Sequence, residues 1–218
     1  MNINLTALSG KRFLLAHSGG LDSCVLANLL LEASVDFSVA HCNFQLRGSE
    51  SDDDFFFVEK WCQEHSIPFF SNIFSTKTYM EFHKKSTQLA ARELRYKWFN
   101  CLLAIYNFEA LITAHHLNDQ FETFFINTTR GTGISGLLGI QENDKLYRPL
   151  LQVSKNSLVI YAEKHYIKWR EDRSNETNDY LRNSIRHLVL DPLIKFQPKA
   201  LDNFKTTLRN LTEANSFI

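Results

Sequence analysis

One short stretch of the sequence has residue types and spacing that suit phosphate chemistry. The segment AHSGGLDSC, residues 16–24, directly follows the apolar run FLLA. Glycines at 19 and 20 permit a close backbone approach and a positive φ, and the first amides of a following helix would point into the same loop. This pattern predicts a nest for an anion, most naturally a nucleotide phosphate. The residues of this nest are Ser18, Gly19, Gly20, Leu21, Asp22 and Ser23.

Asp22 places a carboxylate inside the predicted nest. A carboxylate beside phosphates is expected where Mg²⁺ bridges them, so Asp22 is a candidate Mg²⁺ ligand. The stretch contains neither the GK[ST] of a P-loop nor the GxGxxG of a dinucleotide site. An ordinary glycine-rich turn, with Asp22 or Ser23 as the N-cap of the helix, remains the alternative.

A second candidate is the pair Asp119 and Glu122, three residues apart at the start of a predicted helix. This spacing puts both carboxylates on one helix face. Simple complementarity to the helix dipole, with Asn118 as N-cap, is the competing explanation.

The elements that must position these residues alternate along the chain. Apolar strands are predicted at residues 12–16, 35–41, 67–74 and 109–114, with a short one around LYRPLL. Helices are predicted at 23–33, 51–66, 86–107, from about 119, and at 199–217. Such alternation predicts an α/β fold: a parallel, Rossmann-like sheet covered by helices on both faces, with ligands at the carboxyl ends of the strands.

Composition limits the class of protein. The 218 residues are 44% hydrophobic, enough for one domain with a small appendage. The formal net charge is zero, with 13 Lys+Arg against 16 Asp+Glu in residues 1–150 and 11 against 8 in residues 151–218. Any polyanion contact is therefore expected towards the C-terminal part. No signal peptide or membrane-spanning run is found, which predicts a cytoplasmic protein that does not enter membranes.

The four cysteines have neither CxxC spacing nor a histidine at finger spacing, and buried free thiols are expected. The adjacent His115 and His116 point apart, which makes a hydrogen-bonding role near a nucleotide more plausible than a metal site.

Further motifs occur in one order after SGGLDS: HCNFQLRGSESDDD, AARELRY, TAHHLNDQFET, RGTGISGLLGI, YRPLL and EDRSNETNDYLRNSIRH. Together they resemble the tRNA(Ile)-lysidine synthetase family of PP-loop ATP pyrophosphatases, over roughly residues 10–195. The resemblance implies an AMP-forming ligase that uses ATP and Mg²⁺. It would adenylate the wobble cytidine in the CAU anticodon of tRNA(Ile) and then join L-lysine to C2 of that base.

The resemblance also implies roles for individual residues. Asp119 and Glu122 would bind lysine, because paired carboxylates can hold and orient its amino groups. Arg95 would meet the ATP phosphates or the adenylated intermediate, although a solvated helix face is the usual meaning of its spacing with Arg92. His115 and the loop residues Arg130, Gly131 and Gly133 would line the ATP site, although a helix C-cap and turn would also explain the loop. Arg182 and Arg186 would bind tRNA phosphate, although exposed arginines on a polar helix are common.

The chain departs from the family pattern at several places. Phe44 and Gln45 replace a His and a Gly, and Asn118 replaces an Asp, which removes one possible Mg²⁺ ligand. Family members continue into tRNA-binding domains, so we expect a catalytic domain at 1–190 and, at 191–218, a helical linker at the start of a C-terminal tRNA-binding region. The last helix has an apolar stripe of Leu201, Phe204, Leu208 and Leu211, which a missing domain, a second copy in a homodimer or the catalytic core must cover.

Two other classes of function remain open at this stage. One is another PP-loop enzyme, such as a tRNA thiolation enzyme or an amide-forming ligase; the lack of CxxC argues against the first. The other is an ATP-binding module without chemistry, which would give no reason for Asp22, Asp119 and Glu122 to gather at one sheet edge.

Overall fold

The computed structural model describes residue 3, residues 5–171 and residues 181–217. Its sheet has five strands in the order β3-β2-β1-β4-β5, and all four neighbouring pairs are parallel. The strands are β1 (Arg12–Ala16), β2 (Asp36–Asn43), β3 (Phe69–Ile73), β4 (Leu111–Ile112) and β5 (Leu146–Tyr147). The predicted parallel α/β fold is confirmed.

Helices connect and cover these strands. They are α1 (Leu21–Glu32), α2 (Ser49–Glu64), α3 (Thr76–His83), α4 (Thr87–Ile105), α5 (Leu117–Thr129), α6 (Ile134–Leu137), α7 (Lys155–Lys164), α8 (Leu181–Ile185), α9 (Asp191–Phe196) and α10 (Ala200–Asn215). A 3-10 turn lies at Thr6–Leu8, and a π-helical turn, Arg186–Leu190, joins α8 to α9. In the described part of the chain, no helix has both the length and the apolar composition needed to cross a bilayer.

Alternation along β1 explains why both faces of the sheet are covered. Phe13 and Leu15 belong to the core cluster that contains α1 and α7, whereas Leu14 packs with Phe99 and Leu102 of α4. All three β1 side chains are fully buried. Successive residues of a strand point to opposite faces, so a continuous apolar run is what a sheet buried on both sides requires.

The strand order reverses at β1, which pairs with β2 on one side and β4 on the other. Open parallel sheets bind ligands at such a switch point, outside the carboxyl ends of the strands. The loop after β1 contains the predicted nest, and the loop after β4 leads into α5, which contains Asp119 and Glu122. The fold therefore brings both candidate stretches to one edge.

Two residues of the C-terminal stripe are covered by the core itself. Phe204 and Leu208 of α10 are buried in a cluster with Leu117 and Phe121 of α5, and the Phe121 and Phe204 rings lie 4.4 Å apart. Neither a second copy nor another domain is needed to cover these two side chains.

Several local expectations differ from the structure. Sequence reasoning did not predict α3 or α7, and the glycine-rich turn after α5 contains the short α6. The thiols of Cys24 and Cys62 are buried as expected, but Cys42 is partly exposed and Cys101 is exposed. Part of the last family motif, residues 172–180, lies outside the described residues.

Candidate functional site

The loop between β1 and α1 has the geometry of an anion nest. Gly19 has a φ of +88°, and a Cβ there would lie 3.4 Å from Val58 Cγ2 and 3.8 Å from the Asp54 carbonyl oxygen. These are ordinary van der Waals distances, so it is the left-handed backbone that favours glycine at this position. The amide of Gly19 donates to His17 Nδ1 at 3.0 Å, which pins the loop to the end of β1.

The N-cap of α1 is Gly20, and no side chain caps the helix. The alternative in which Asp22 or Ser23 caps the helix is wrong: the Ser23 hydroxyl instead donates to the Gly20 carbonyl at 2.9 Å. Ser18 Oγ accepts from the Gly20 amide at 3.3 Å. Because the first amides of a helix have no intrahelical acceptor, those of α1 remain available to an anionic ligand.

Asp22 joins the nest to two other elements. Its Oδ1 accepts from Lys155 Nζ at 2.7 Å, and its Oδ2 lies 3.6 Å from His116 Nε2. Burial acts to raise the pKa of Asp22, but its bonds to His116 and Lys155 outweigh burial and lower it. The carboxylate therefore stays charged at the edge of the nest, and the Lys155 ammonium lies beside it.

His116 connects the nest to the acidic pair. It is the N-cap of α5 and forms a capping box with Asp119: the His116 amide donates to Asp119 Oδ2 at 2.9 Å. Asn118, the N-cap in the competing dipole explanation, instead accepts a hydrogen bond from the Lys155 amide with its Oδ1 at 2.9 Å. Burial lowers the pKa of His116, but the charges of Asp119 and Asp22 outweigh it and raise the pKa.

Asp119 and Glu122 lie together with Arg182 and Arg186. Arg182 Nε donates to Glu122 Oε2 at 2.6 Å, and Arg182 Nη2 donates to Asp119 Oδ1 at 3.3 Å. Arg186 Nε donates to Glu122 Oε1 at 2.6 Å. Glu122 is 0% exposed. Burial acts to raise the pKa of Asp119, but His116 and Arg182 hold it below its usual range. The two arginines are therefore bound to carboxylates rather than free on a polar helix face.

His115 and Arg95 lie at the same edge. His115 Nδ1 is within 2.9 Å of Thr113 Oγ1 and accepts from Arg148 Nε at 3.3 Å. Burial, together with the charges of Arg148, Arg182 and Arg95, lowers the pKa of His115 to about 4, so this ring is neutral near pH 7. The Arg95 guanidinium lies 5.3 Å from the centroid of the Phe44 ring.

The loop of Arg130, Gly131 and Gly133 is separate from this cluster. Arg130 follows the last residue of α5, about 16 Å along the helix from Asp119 at 1.5 Å per residue. All three residues are exposed, and within the described residues Arg130 forms no side-chain hydrogen bond or ion pair. Their assignment to the ATP site stays a prediction.

Among the described residues, no group of three or more His, Cys, Asp or Glu side chains could hold a metal ion. Mg²⁺ at nucleotide sites is commonly held by one or two carboxylates with the phosphates and water, and Asp22 offers one such carboxylate. This donor set fits an ion that arrives with the nucleotide.

Sequence reasoning missed four residues of the site. Lys155 binds Asp22, the Arg170 amide donates to the Gly19 carbonyl at 2.9 Å, Arg148 donates to His115, and His17 accepts from the Gly19 amide. Burial and the neighbouring His41 lower the pKa of His17 to about 3, so its ring stays neutral and keeps its acceptor. His17 directly precedes SGGLDS and was available as a signal, whereas the other three contacts cross long stretches of chain.

A parallel sheet with a glycine-containing nest at its switch point defines the class of nucleotide-binding α/β domains. More particularly, the family model described as PP-loop domain matches residues 2–193. The chain belongs to that family.

Named relatives agree with this family. A tRNA(Ile)-lysidine synthase of Porphyromonas gingivalis is 39% identical over 206 residues, covering 94% of this chain and 45% of the relative. Another from Chlorobaculum tepidum is 39% identical over 217 residues, covering 96% and 65%. The chain thus spans about half to two-thirds of the length of these curated relatives.

A solved structure, the U34-tRNA thiolase NcsA from Methanococcus maripaludis with its [4Fe-4S] cluster, superposes with a TM-score of 0.77. The superposition covers 97% of this chain and 75% of the thiolase chain at 20% sequence identity, which shows a shared fold alone.

Proposed function

We propose that the chain catalyses the two-step ligation of L-lysine to the wobble cytidine of tRNA(Ile) with a CAU anticodon. The observation that carries this proposal is the position of His116, which lies 3.6 Å from both Asp22 and Asp119. One side chain thus couples a phosphate nest to a carboxylate pair suited to an amine. The names of the curated relatives support the same substrate.

In the first step, the C2 oxygen of the cytidine attacks the α-phosphorus of ATP, and the bond to the β-phosphate breaks to release pyrophosphate. The nest amides and Lys155 would bind the phosphates, and Arg95 would stabilise charge that develops during transfer. Mg²⁺, held by Asp22 together with the phosphates, would neutralise the pyrophosphate leaving group.

In the second step, the neutral ε-amine of lysine attacks C2, the C2–O bond breaks to release AMP, and the proton that the attacking nitrogen loses passes to water. Because the pKa of Asp119 is lowered, this carboxylate is a weak base. We therefore assign it to binding and orienting lysine rather than to accepting the amine proton. Arg182 Nη2 lies 3.3 Å from Asp119 Oδ1. An ammonium group of lysine that binds Asp119 would therefore take the place of this guanidinium.

The test is ATP–pyrophosphate exchange with a CAU-anticodon tRNA(Ile) transcript, with and without lysine, followed by nucleoside analysis. We expect exchange that needs the transcript, and lysidine when lysine is added. Asp22→Asn should abolish exchange, whereas Asp119→Asn should raise KM for lysine and leave KM for ATP nearly unchanged. Exchange without the transcript, or equal effects of Asp119→Asn on both KM values, would contradict the proposal.

A tRNA thiolation enzyme is the main alternative within the family, and the same assay separates the two, because thiolation would incorporate sulfur and no lysine. Four narrower proposals are retained. The catalytic domain is residues 1–190, followed at 191–218 by a helical segment that leads to a tRNA-binding region, and the protein is cytoplasmic. Arg130, Gly131 and Gly133 contact ATP, and Arg182 and Arg186 contact tRNA. A homodimer is a further prediction, which light scattering would check.

A further inference from the structure

The stretch from α3 into the first half of α4 is strongly basic, and most of it has no role in the site described above. Residues 76–97 contain two acidic and six basic residues, whereas the whole chain has a formal net charge of zero. The basic residues are Lys77, Lys84, Lys85, Arg92, Arg95 and Lys97. Counting charge over residues 1–150 conceals this cluster, because acidic residues elsewhere outnumber it.

Most of this positive charge is not neutralised within the protein. Glu93 is used to join α3 to α4, accepting from Lys85 Nζ at 2.6 Å and from the Tyr79 hydroxyl at 3.0 Å. Lys77, Lys84 and Arg92 are exposed, and in the part of the chain that the structure describes they form no ion pair. An exposed basic surface of this kind attracts a polyanion.

An aromatic side chain projects from the same surface. Phe82 is 83% exposed, and its ring contacts His83 edge-on at 5.0 Å. His83 in turn packs on Tyr79, with ring centroids 4.2 Å apart. An exposed ring that is supported from one side and lies on a basic stretch of chain is a platform on which an unpaired base can stack.

The surface lies at the same edge of the sheet as the nest. Helix α3 begins just after β3, and Thr76 Oγ1 donates to the Phe44 carbonyl at 2.8 Å, one residue beyond the end of β2. The guanidinium of Arg95 on α4 lies over the Phe44 ring. A nucleic acid on α3 and α4 would therefore extend directly towards Arg95 and His115.

A comparable exposed ring lies at the opposite edge. Tyr166 is 90% exposed and follows α7, whose end is fixed near the end of α1 by His165, 3.6 Å from Glu32. Because α7 begins at Lys155 beside Asp22, its other end lies about 15 Å away, given its ten residues. Tyr166, with Lys164 nearby in sequence, provides a matched control on a surface that faces away from the site.

We propose that Phe82, Lys84 and Arg92 form a docking surface for a single-stranded RNA loop, with a base stacked on Phe82. Stacking requires an unpaired base, so a loop is favoured over a duplex. The identity of the loop as the anticodon loop rests on the proposed function; the recognition of single-stranded RNA does not.

The test measures binding of two RNAs to the full chain: a hairpin with the CAU anticodon loop, and a blunt duplex of the same length. Phe82→Ala should weaken hairpin binding about tenfold and leave duplex binding unchanged. Lys84→Asn, which suits the left-handed backbone of Lys84 (φ +50°), should reduce the salt dependence of hairpin binding by about 0.7 in log–log slope. Tyr166→Ala and Lys164→Gln should change neither quantity. Thermal unfolding should be unaltered in all four variants, because each side chain is exposed.

The surface assignment is overturned if Phe82→Ala binds the hairpin like the wild type, if hairpin and duplex binding fall equally, or if Tyr166→Ala has the same effect. Lysidine formation is measured separately with the full transcript. Phe82-dependent hairpin binding without lysidine would defeat the proposed function and keep the RNA surface. Lysidine formation, together with a Phe82→Ala variant that binds the hairpin like the wild type, would overturn the RNA surface and keep the proposed function.

Discussion

The two ends of helix α5 both contain predicted site residues, but their surroundings differ. At the start, His116, Asp119 and Glu122 are each bound by partners from elsewhere in the chain or from their own capping box. At the end, Arg130 is exposed and Gly131 has a φ of +67° with open space around it.

This difference shows what burial demands of charged residues. A carboxylate removed from water needs opposite charge and hydrogen bonds, and these must come from other elements. An exposed arginine is solvated by water and needs no partner. Stability should therefore depend on the start of α5 and hardly at all on its end.

The largest expected effect is that of Glu122→Gln, which retains the shape and removes the charge. Both arginines would then face a neutral amide, and breaking buried pairs typically costs about 3–5 kcal/mol. Because the side chains of Arg182 and Arg186 are 36% and 30% exposed and can turn towards water, we expect a loss of about 2–4 kcal/mol. Urea unfolding of both proteins would measure it.

Arg130→Gln at the other end of the same helix is the matched control. It should change the free energy of unfolding by less than about 0.5 kcal/mol, as exposed substitutions usually do. If this loop contacts ATP, Arg130→Gln raises KM for ATP and leaves the free energy of unfolding nearly unchanged. Equal stability losses at the two ends would refute the contrast between them.

A medium effect is expected from Asn118→Ala, which removes the acceptor of the Lys155 amide. One partly buried hydrogen bond is typically worth about 1 kcal/mol. Asn118→Asp preserves an acceptor and should remain within about 0.5 kcal/mol of the wild type. If Asn118→Ala unfolds at the same urea concentration as the wild type, this bond does not tie α5 to α7.

The same residues show which parts of the site sequence patterns can predict. The nest could be predicted because its signal is local: an apolar strand, two glycines and a helix follow one another within a few residues. The contact between Asp22 and Lys155 could not be predicted, because Lys155 lies 133 positions further along the chain and its helix was not predicted. Asn118 was the candidate cap in the competing dipole explanation, because asparagine is a favoured N-cap. In the structure the bond to Lys155 uses its side chain, and His116, an uncommon cap, takes that position.

The smallest effect concerns the pH dependence of stability at the start of α5. The folded protein has a raised pKa at His116, against an ordinary value of 6.5, because Asp119 and Asp22 outweigh burial. A raised pKa contributes stability that is fully present below about pH 6.5 and is lost as the pH rises through the folded value.

We therefore compare the wild type with His116→Asn, which can still cap the helix but cannot titrate. The stability advantage of the wild type should be largest near pH 6 and should shrink towards pH 8. His115 and His17, with pKa values of about 4 and 3, are common to both proteins and cancel in the difference. Urea unfolding at several pH values measures that difference, and one that grows with pH would mean that His116 is neutral between its two carboxylates.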